Sequence, residues 1–180
     1  MIRFLKHKFY FLFFLFYFII ARPASSFTIA EEYVLKASYI HNFLNFVSFP
    51  GINQKDSIEI CIAGENPFGK TIHKLAERNI DGKIIIISEK KIDDGIKSCN
   101  VLFVPMNFNK DLPKILEIIN HYPIFTITES PDSLDQGVVL NFYIENEKIR
   151  FEINVEAVKK SGLVIDPRLL NLAKLIKKKD

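Results

Sequence analysis

Histidine and cysteine are scarce in this chain: four and two among 180 residues, with no C-x-x-C pair and no clustered His/Cys spacing. A thioredoxin-type redox motif is therefore excluded, and little is left from which to build a zinc site. Ser88, Ser98, Ser130 and Ser133 all lack the G-x-S-x-G elbow of a hydrolase. His41, His73 and His121 sit alone on helix-like segments. Glu129 with Asp132 or Asp135 could pair carboxylates, but acids on loops commonly serve solubility, so no catalytic residue is assigned. Basic runs are equally few. Apart from the N-terminus there is only Lys177-Lys178-Lys179, read as a solvated helix end, so the basic face of a nucleic-acid-binding protein is missing. There is no internal repeat and no low-complexity linker.

What is present begins with a leader. Arg3, Lys6 and Lys8 precede thirteen uncharged residues, 9–21, and Ala24-Ser25-Ser26 offers small side chains for a cut after Ser26. This is the three-part pattern of a secretory signal peptide. The apolar run is short of the roughly 20 residues that span a bilayer, and no cysteine stands near the cut for a lipid anchor. The expectation is a signal peptide over 1–26, a mature chain 27–180 and a periplasmic location. The leader's four basic residues come with no acid, so the mature chain keeps 20 basic and 21 acidic residues and a net charge near −1. A chain of that length suits one domain with a real core.

Residues 30–48 read as a helix, with Glu31 and Glu32 at its positive end and apolar residues spaced by three and four. From Ala37 to Gln54 there is no formal charge. Such a helix is either wrapped on both sides or offers Tyr39, Phe43, Phe46 and Phe49 to a partner; both readings stay open. Strands are expected at 58–63, 83–88, 100–105 and 123–129, the β-branched run 83–88 being typical of a strand buried in a parallel sheet. Helices are expected from Asn66-Pro67 to about 78, around 92–97, and over 111–122. This rhythm implies an α/β domain with right-handed crossovers. Residues 137–154 form two strand-like runs about Glu145-Asn146-Glu147, an antiparallel hairpin. A helix then runs from Asn154 to Gly162, and a last one over 166–180 with Asp166 as cap. The fold class is thus α/β: one domain with a mixed sheet, parallel in its β-α-β part, flanked by helices.

Residues 64–71, GENPFGKT, match the P-loop pattern G-x-x-x-x-G-K-[ST]. Pro67 has no N–H to turn toward a phosphate, Glu65 adds a negative charge, and no strand end supplies the Asp expected for Mg²⁺. The same letters describe a strand-to-helix corner, so no nucleotide cofactor is assigned. Cys61 lies within the first of these strands and Cys99 just before the third, and in a doubly wound order those strands are neighbours. Export favours a disulfide between them; two buried free thiols remain the alternative. Period two sets Arg150, Glu152 and Asn154 on one face of their strand and Phe151 and Ile153 on the other. That polar stripe is either solvated or a binding face.

Several segments together resemble the YfiR-like periplasmic family. Tyr33, Lys36, Ala37, Asn42 and Phe43 match its opening-helix pattern. Gly64, Pro67, Phe68 and Gly69 match its Gly-x-x-Pro-Phe-Gly corner, where the lysine that follows is not required. The resemblance spans nearly all of residues 27–180. It implies an exported repressor, not an enzyme, that binds the sensory part of an inner-membrane diguanylate cyclase of the YfiN type. Stress would release the cyclase and raise cyclic-di-GMP and biofilm formation. It further implies a homodimer and a disulfide on Cys61 and Cys99. The family's second pair has no counterpart here. The segment from Arg150 to the last helix maps the repressing region onto Glu152, Val158 and Asp166. With Tyr39, Phe43 and Phe46 these are the partner-binding candidates. The alternative is a small-molecule-binding protein feeding another membrane sensor, its ligand at the carboxyl ends of the strands near 64–68, 105–107 and 129–130.

Overall fold

The computed structural model describes residues 28–176. The leader expected over 1–26 and the lysine run lie outside the described residues. Helix α1, Ile29–Phe43, starts at a capping box: Thr28 Oγ1 accepts the Glu31 N–H at 3.3 Å, and Glu31 Oε2 accepts the Thr28 N–H at 2.9 Å. The helix stops five residues before the expected end. Residues 44–46 turn, and Val47–Ser48 (β1) pairs antiparallel with Val164–Ile165 (β8).

Five parallel strands follow: β2 (Ser57–Ala63), β3 (Ile84–Lys90), β4 (Val101–Val104), β5 (Phe125–Thr128) and β6 (Leu140–Glu145). The expected hairpin is present. β7 (Lys148–Asn154) runs antiparallel to β6 through a turn in which Asn146 and Glu147 both take positive φ, the geometry that matches strand twist. Parallel to β7 lies β9 (Lys174–Ile176), and the sheet order is β3-β2-β4-β5-β6-β7-β9.

Helices cover both faces. On one lie α1, the 3₁₀ segment Gly69–Leu75, α4 (Val155–Ser161) and the short α5 (Pro167–Leu170), around Ile60, Phe103, Phe125, Ile127 and Phe142. On the other lie α2 (Leu112–Ile118) and α3 (Ser133–Gln136), over Cys61, Leu102 and Val104. Asn154 caps α4 by accepting the Glu156 and Ala157 N–H groups, and Gly162 ends it at φ 74°, as the sequence reads.

Three expectations are corrected. The β-branched run at 83–88 is not a buried central strand: β3 is an edge, and Ile84 and Ile86 are 52% and 42% exposed. The helix expected over 111–122 is α only to Ile118 and is preceded by the 3₁₀ turn Met106–Asp111. The last helix is one turn long. Asp166 and Pro167 do start it, but Lys174–Ile176 instead takes the free main-chain groups of β7. A longer helix would leave that edge unpaired.

Cys61 and Cys99 are joined by a disulfide, with Cα atoms 5.9 Å apart, and the alternative of free thiols is set aside. The bridge ties β2 to the residue leading into β4, two strands already in register. By the loop-entropy argument it stabilises the fold by about 3–4 kcal/mol. Replacing both cysteines by alanine should lower the urea-unfolding free energy by about that amount. A loss below about 1 kcal/mol would show that sheet pairing alone fixes these strands.

Candidate functional site

In an open α/β sheet the carboxyl ends of the parallel strands are the usual ligand crevice. Here α1 lies across them. Lys36, four-residue neighbour of Glu32, reaches Glu129 just beyond β5 with Nζ 2.5 Å from Oε2; both side chains are 5% exposed. Glu129 also accepts the Tyr33 hydroxyl at 2.8 Å and the Met106 N–H at 3.2 Å, and Glu32 adds a second carboxylate to Lys36. Burial, then the bond to Glu129, raises the Tyr33 phenol well above its usual range. The Tyr33 ring meets Phe68 edge-on at 5.4 Å, and Phe68 meets Phe103 at 4.7 Å. Tyr33, Lys36 and Phe68, three of the residues that carry the family resemblance, therefore meet at one corner.

The P-loop match is closed by the same corner. Gly64 has φ +78°, and the Phe108 ring stands where a Cβ at Gly64 would point. Asn66 Oδ1 accepts the Phe68 N–H, and a 3₁₀ turn follows instead of an α-helix. Lys70 is exposed. Protein therefore occupies the expected ligand position at Phe68 and Glu129, while a cavity of about 400 Å³ remains at the ends of β2 and β3, lined by Gly64, Glu89, Lys90, Ile92 and Phe108.

An exposed patch forms elsewhere, where the end of α1 meets the C-terminal segment. The Asp166 N–H donates to the Phe46 carbonyl at 2.8 Å. The Arg168 guanidinium sits 5.1 Å from the centre of the Phe46 ring and holds Asp166 through Nε at 3.1 Å and Nη2 at 2.8 Å. Arg168 and its N–H pull the Asp166 carboxyl down to about 2. Val164 beside them is 64% exposed. A fixed guanidinium over an aromatic ring, next to an uncovered valine, has the composition of an interface anchor.

The sequence candidates do not form one surface. Phe46 and Asp166 meet in this patch. Phe43, 3% exposed, is core, packed on Phe125, Phe142 and Phe151, and Val158 is buried against the same layer. Both are corrected as surface residues. Tyr39 is half-buried between Phe43, Phe142 and Phe151. Glu152 lies on the opposite face of the sheet, bonded by Asn141 Nδ2 at 3.2 Å and facing Lys174 at 3.5 Å. Two pairings were missed, Lys36 with Glu129 and Arg168 with Asp166 and Phe46; only Arg168 left a local signal, two residues after the Asp166 cap.

Beside the disulfide, Glu59 accepts the Ser88 hydroxyl at 2.7 Å and the Ser98 hydroxyl at 2.9 Å, and pairs with Lys90 at 2.8 Å. Burial pushes its carboxyl up, but these bonds outweigh burial and hold it below its usual value. Glu59, Cys61 and Cys99 are close enough to surround a cation, but bridged sulfurs are not thiolate ligands. A separate cavity of about 420 Å³ opens between α2 and α4, lined by Ile119, Tyr122, Ile124, Val139, Asn154 and Ala157.

The sequence model of the YfiR/HmsC-like family matches residues 33–174, and the chain belongs to that family. Among solved structures it is similar to a conserved domain protein from Vibrio cholerae O1 biovar El Tor, with a TM-score of 0.57 and 10% identity. The match covers 81% of this chain and 60% of that one, so less than two thirds of that protein's length is represented here. At this identity the likeness shows the fold.

Lys36→Met strands the Glu129 carboxylate in a buried site and should cost about 3–5 kcal/mol of stability. Adding Glu129→Gln should recover part of that loss. If denaturant midpoints show no recovery in the double variant, the charge pairing is not what holds α1 in place.

Proposed function

We propose that this protein is an exported regulator that binds the periplasmic sensory domain of an inner-membrane diguanylate cyclase of the YfiN type and holds it inactive. Release would raise cyclic-di-GMP and biofilm formation. It acts by binding, without catalysis, and works as a homodimer. Membership of the YfiR/HmsC-like family supports this reading. The observation that carries it is the patch of Phe46, Asp166 and Arg168 with the exposed Val164. Its charges are already paired within the protein, so a partner need desolvate no lone ion. Its ring and aliphatic side chain supply apolar area that is uncovered in the free protein.

The buried Lys36–Glu129 pair adds a mechanical argument. With α1 fixed by Lys36 and Glu129, the Phe46 end of the chain has a defined direction, and Asp166 and Arg168 are tied to it by main-chain and ring contacts. Preorganised anchors lose less entropy on binding than mobile ones. The second reading, a small-molecule-binding protein feeding another sensor, draws on the cavity lined by Ile119, Ile124 and Val139. That cavity lies away from the strand ends where the ligand was expected.

The test is cross-linking of the tagged, secreted protein in the native envelope, followed by identification of the membrane protein retained. A single cyclase with a periplasmic sensory domain is expected. Arg168→Ala should weaken its binding by about 2 kcal/mol or more, the hot-spot range, while Glu152→Lys should have little effect. The reverse ranking would move the docking face to the Glu152 side of the sheet. Capture of another sensor, or a ligand in the cavity with no cyclase bound, would favour the second reading.

A further inference from the structure

The cavity between α2 and α4 combines an apolar floor with a polar mouth. Ile119, Ile124, Val139 and Ala157 form the floor, each at most 6% exposed. Ile124 and Val139 immediately precede β5 and β6, and Asn154 ends the antiparallel β7. The cavity therefore opens at the amino ends of the parallel strands, the opposite end from Gly64 and Glu129. Its volume of about 420 Å³ falls within the range of small-ligand sites, roughly 300–1,000 Å³. Two polar groups beneath the mouth are already engaged. Asn154 Oδ1 accepts the Glu156 and Ala157 N–H groups and its Nδ2 donates to the Leu134 carbonyl at 2.7 Å. Ser161 Oγ donates to the Val158 carbonyl at 2.9 Å. Thr126 differs. It is 3% exposed and its Oγ1 accepts the Val139 N–H at 2.9 Å, but its own O–H has no acceptor among the described residues. A buried hydroxyl whose proton is not donated costs free energy. At the mouth stand Asp135, Glu156, Lys160 and His121, all exposed. Glu156 is held by Lys159 at 2.9 Å, which leaves Asp135 and Lys160, one charge of each sign.

We propose that this cavity binds a small, uncharged and mainly apolar molecule through one carbonyl oxygen, which accepts the Thr126 O–H. The hydrocarbon body lies against Ile119, Ile124, Val139 and Ala157, where a charged group would lose its hydration and find no counterion. The carbonyl supplies the acceptor that Thr126 lacks, and that single bond orients the ligand. Thr126 keeps its bond from Val139, since a hydroxyl oxygen can accept one proton while donating its own. The balanced charges at the mouth give no preference to an anion or a cation. None of these residues belongs to the Phe46–Arg168 patch, so both sites can be occupied at once. The proposal names a ligand class for the small-molecule reading of function. It rests on that reading for its biological role and on the cavity for its chemistry.

The experiment titrates the secreted protein with the neutral naphthyl ketone 6-propionyl-2-(dimethylamino)naphthalene, whose emission responds to the polarity around it, with circular dichroism to confirm folding of each variant. Saturable one-to-one binding is expected. Thr126→Val should weaken the ketone about five-fold, the worth of one hydrogen bond, and leave competition by 2-ethylnaphthalene, which has no acceptor, unchanged. Thr126→Ser, which keeps the hydroxyl, should bind as the unaltered protein does. Ala157→Leu and Ser161→Leu, which add carbon to the cavity wall, should each abolish binding in the folded protein. The anion 2-naphthoate should bind at least about ten-fold more weakly than the ketone. No binding of the ketone would overturn the proposal, as would a Thr126→Val variant that treats ketone and hydrocarbon alike, or binding unaltered in both folded leucine variants. Tighter binding of 2-naphthoate would give the cavity to an anion and overturn the ligand class. Binding that appears only after residues 177–180 are removed would assign the cavity to the chain's own end and likewise overturn it. Envelope capture of a cyclase by a protein that binds the ketone removes the small-molecule reading and leaves this site standing. Capture of another sensor by a protein that does not bind it removes only this site.

Discussion

A charge taken out of water must find its opposite, and in this molecule the demand falls on Lys36 and Glu129. One sits on the first helix and the other beyond a central strand, 93 residues later. Their meeting fixes where α1 lies. Once Lys36 reaches Glu129, Tyr33 follows onto the same carboxylate and onto Phe68, and the β4–β5 side of the sheet's mouth is covered. A fold that in many enzymes leaves this end open for a nucleotide or substrate is here covered by α1 at β4 and β5 and keeps a cavity only beside Gly64 and Phe108.

The flank built from Phe46, Val164, Asp166 and Arg168 depends on that first constraint. Phe46 follows α1 by three residues, and β1 next to it is pinned to β8. The C-terminal segment is therefore carried to the end of α1 by main-chain pairing, and Arg168 lies over a ring that cannot move far. On the other side of the sheet, the disulfide and the Glu59 bonds hold β2 against its neighbours. The half of the sheet ending in β3 is thus braced covalently.

The sequence was a good guide to elements and a poor one to faces. Glu31, Asn154, Gly162 and the Asn146-Glu147 turn act through neighbours one to four residues away, and periodicity exposes such local chemistry. The neighbouring strands of Cys61 and Cys99 were legible for the same reason, through the β-α-β rhythm. The candidate surface was harder. Tyr39, Phe43 and Phe46 look alike as aromatic residues in an uncharged stretch, yet Phe43 is core and Phe46 lies under Arg168. Glu152 and Asp166, close in sequence, lie on opposite faces of one sheet.

What the sequence by itself determined was the class of fold, the caps at Asn154 and Asp166 and the hairpin, since each follows from short-range sterics and hydrogen-bonding capacity. Only the tertiary structure decided the order of the strands. It made the most β-like run, 84–87, an edge instead of a centre, and it drew Lys174–Ile176 out of a helical pattern into β9. It also brought Lys36 to Glu129. These outcomes depend on which long crossovers pack together and which main-chain groups remain unpaired afterwards, and those are energies of contacts between distant residues.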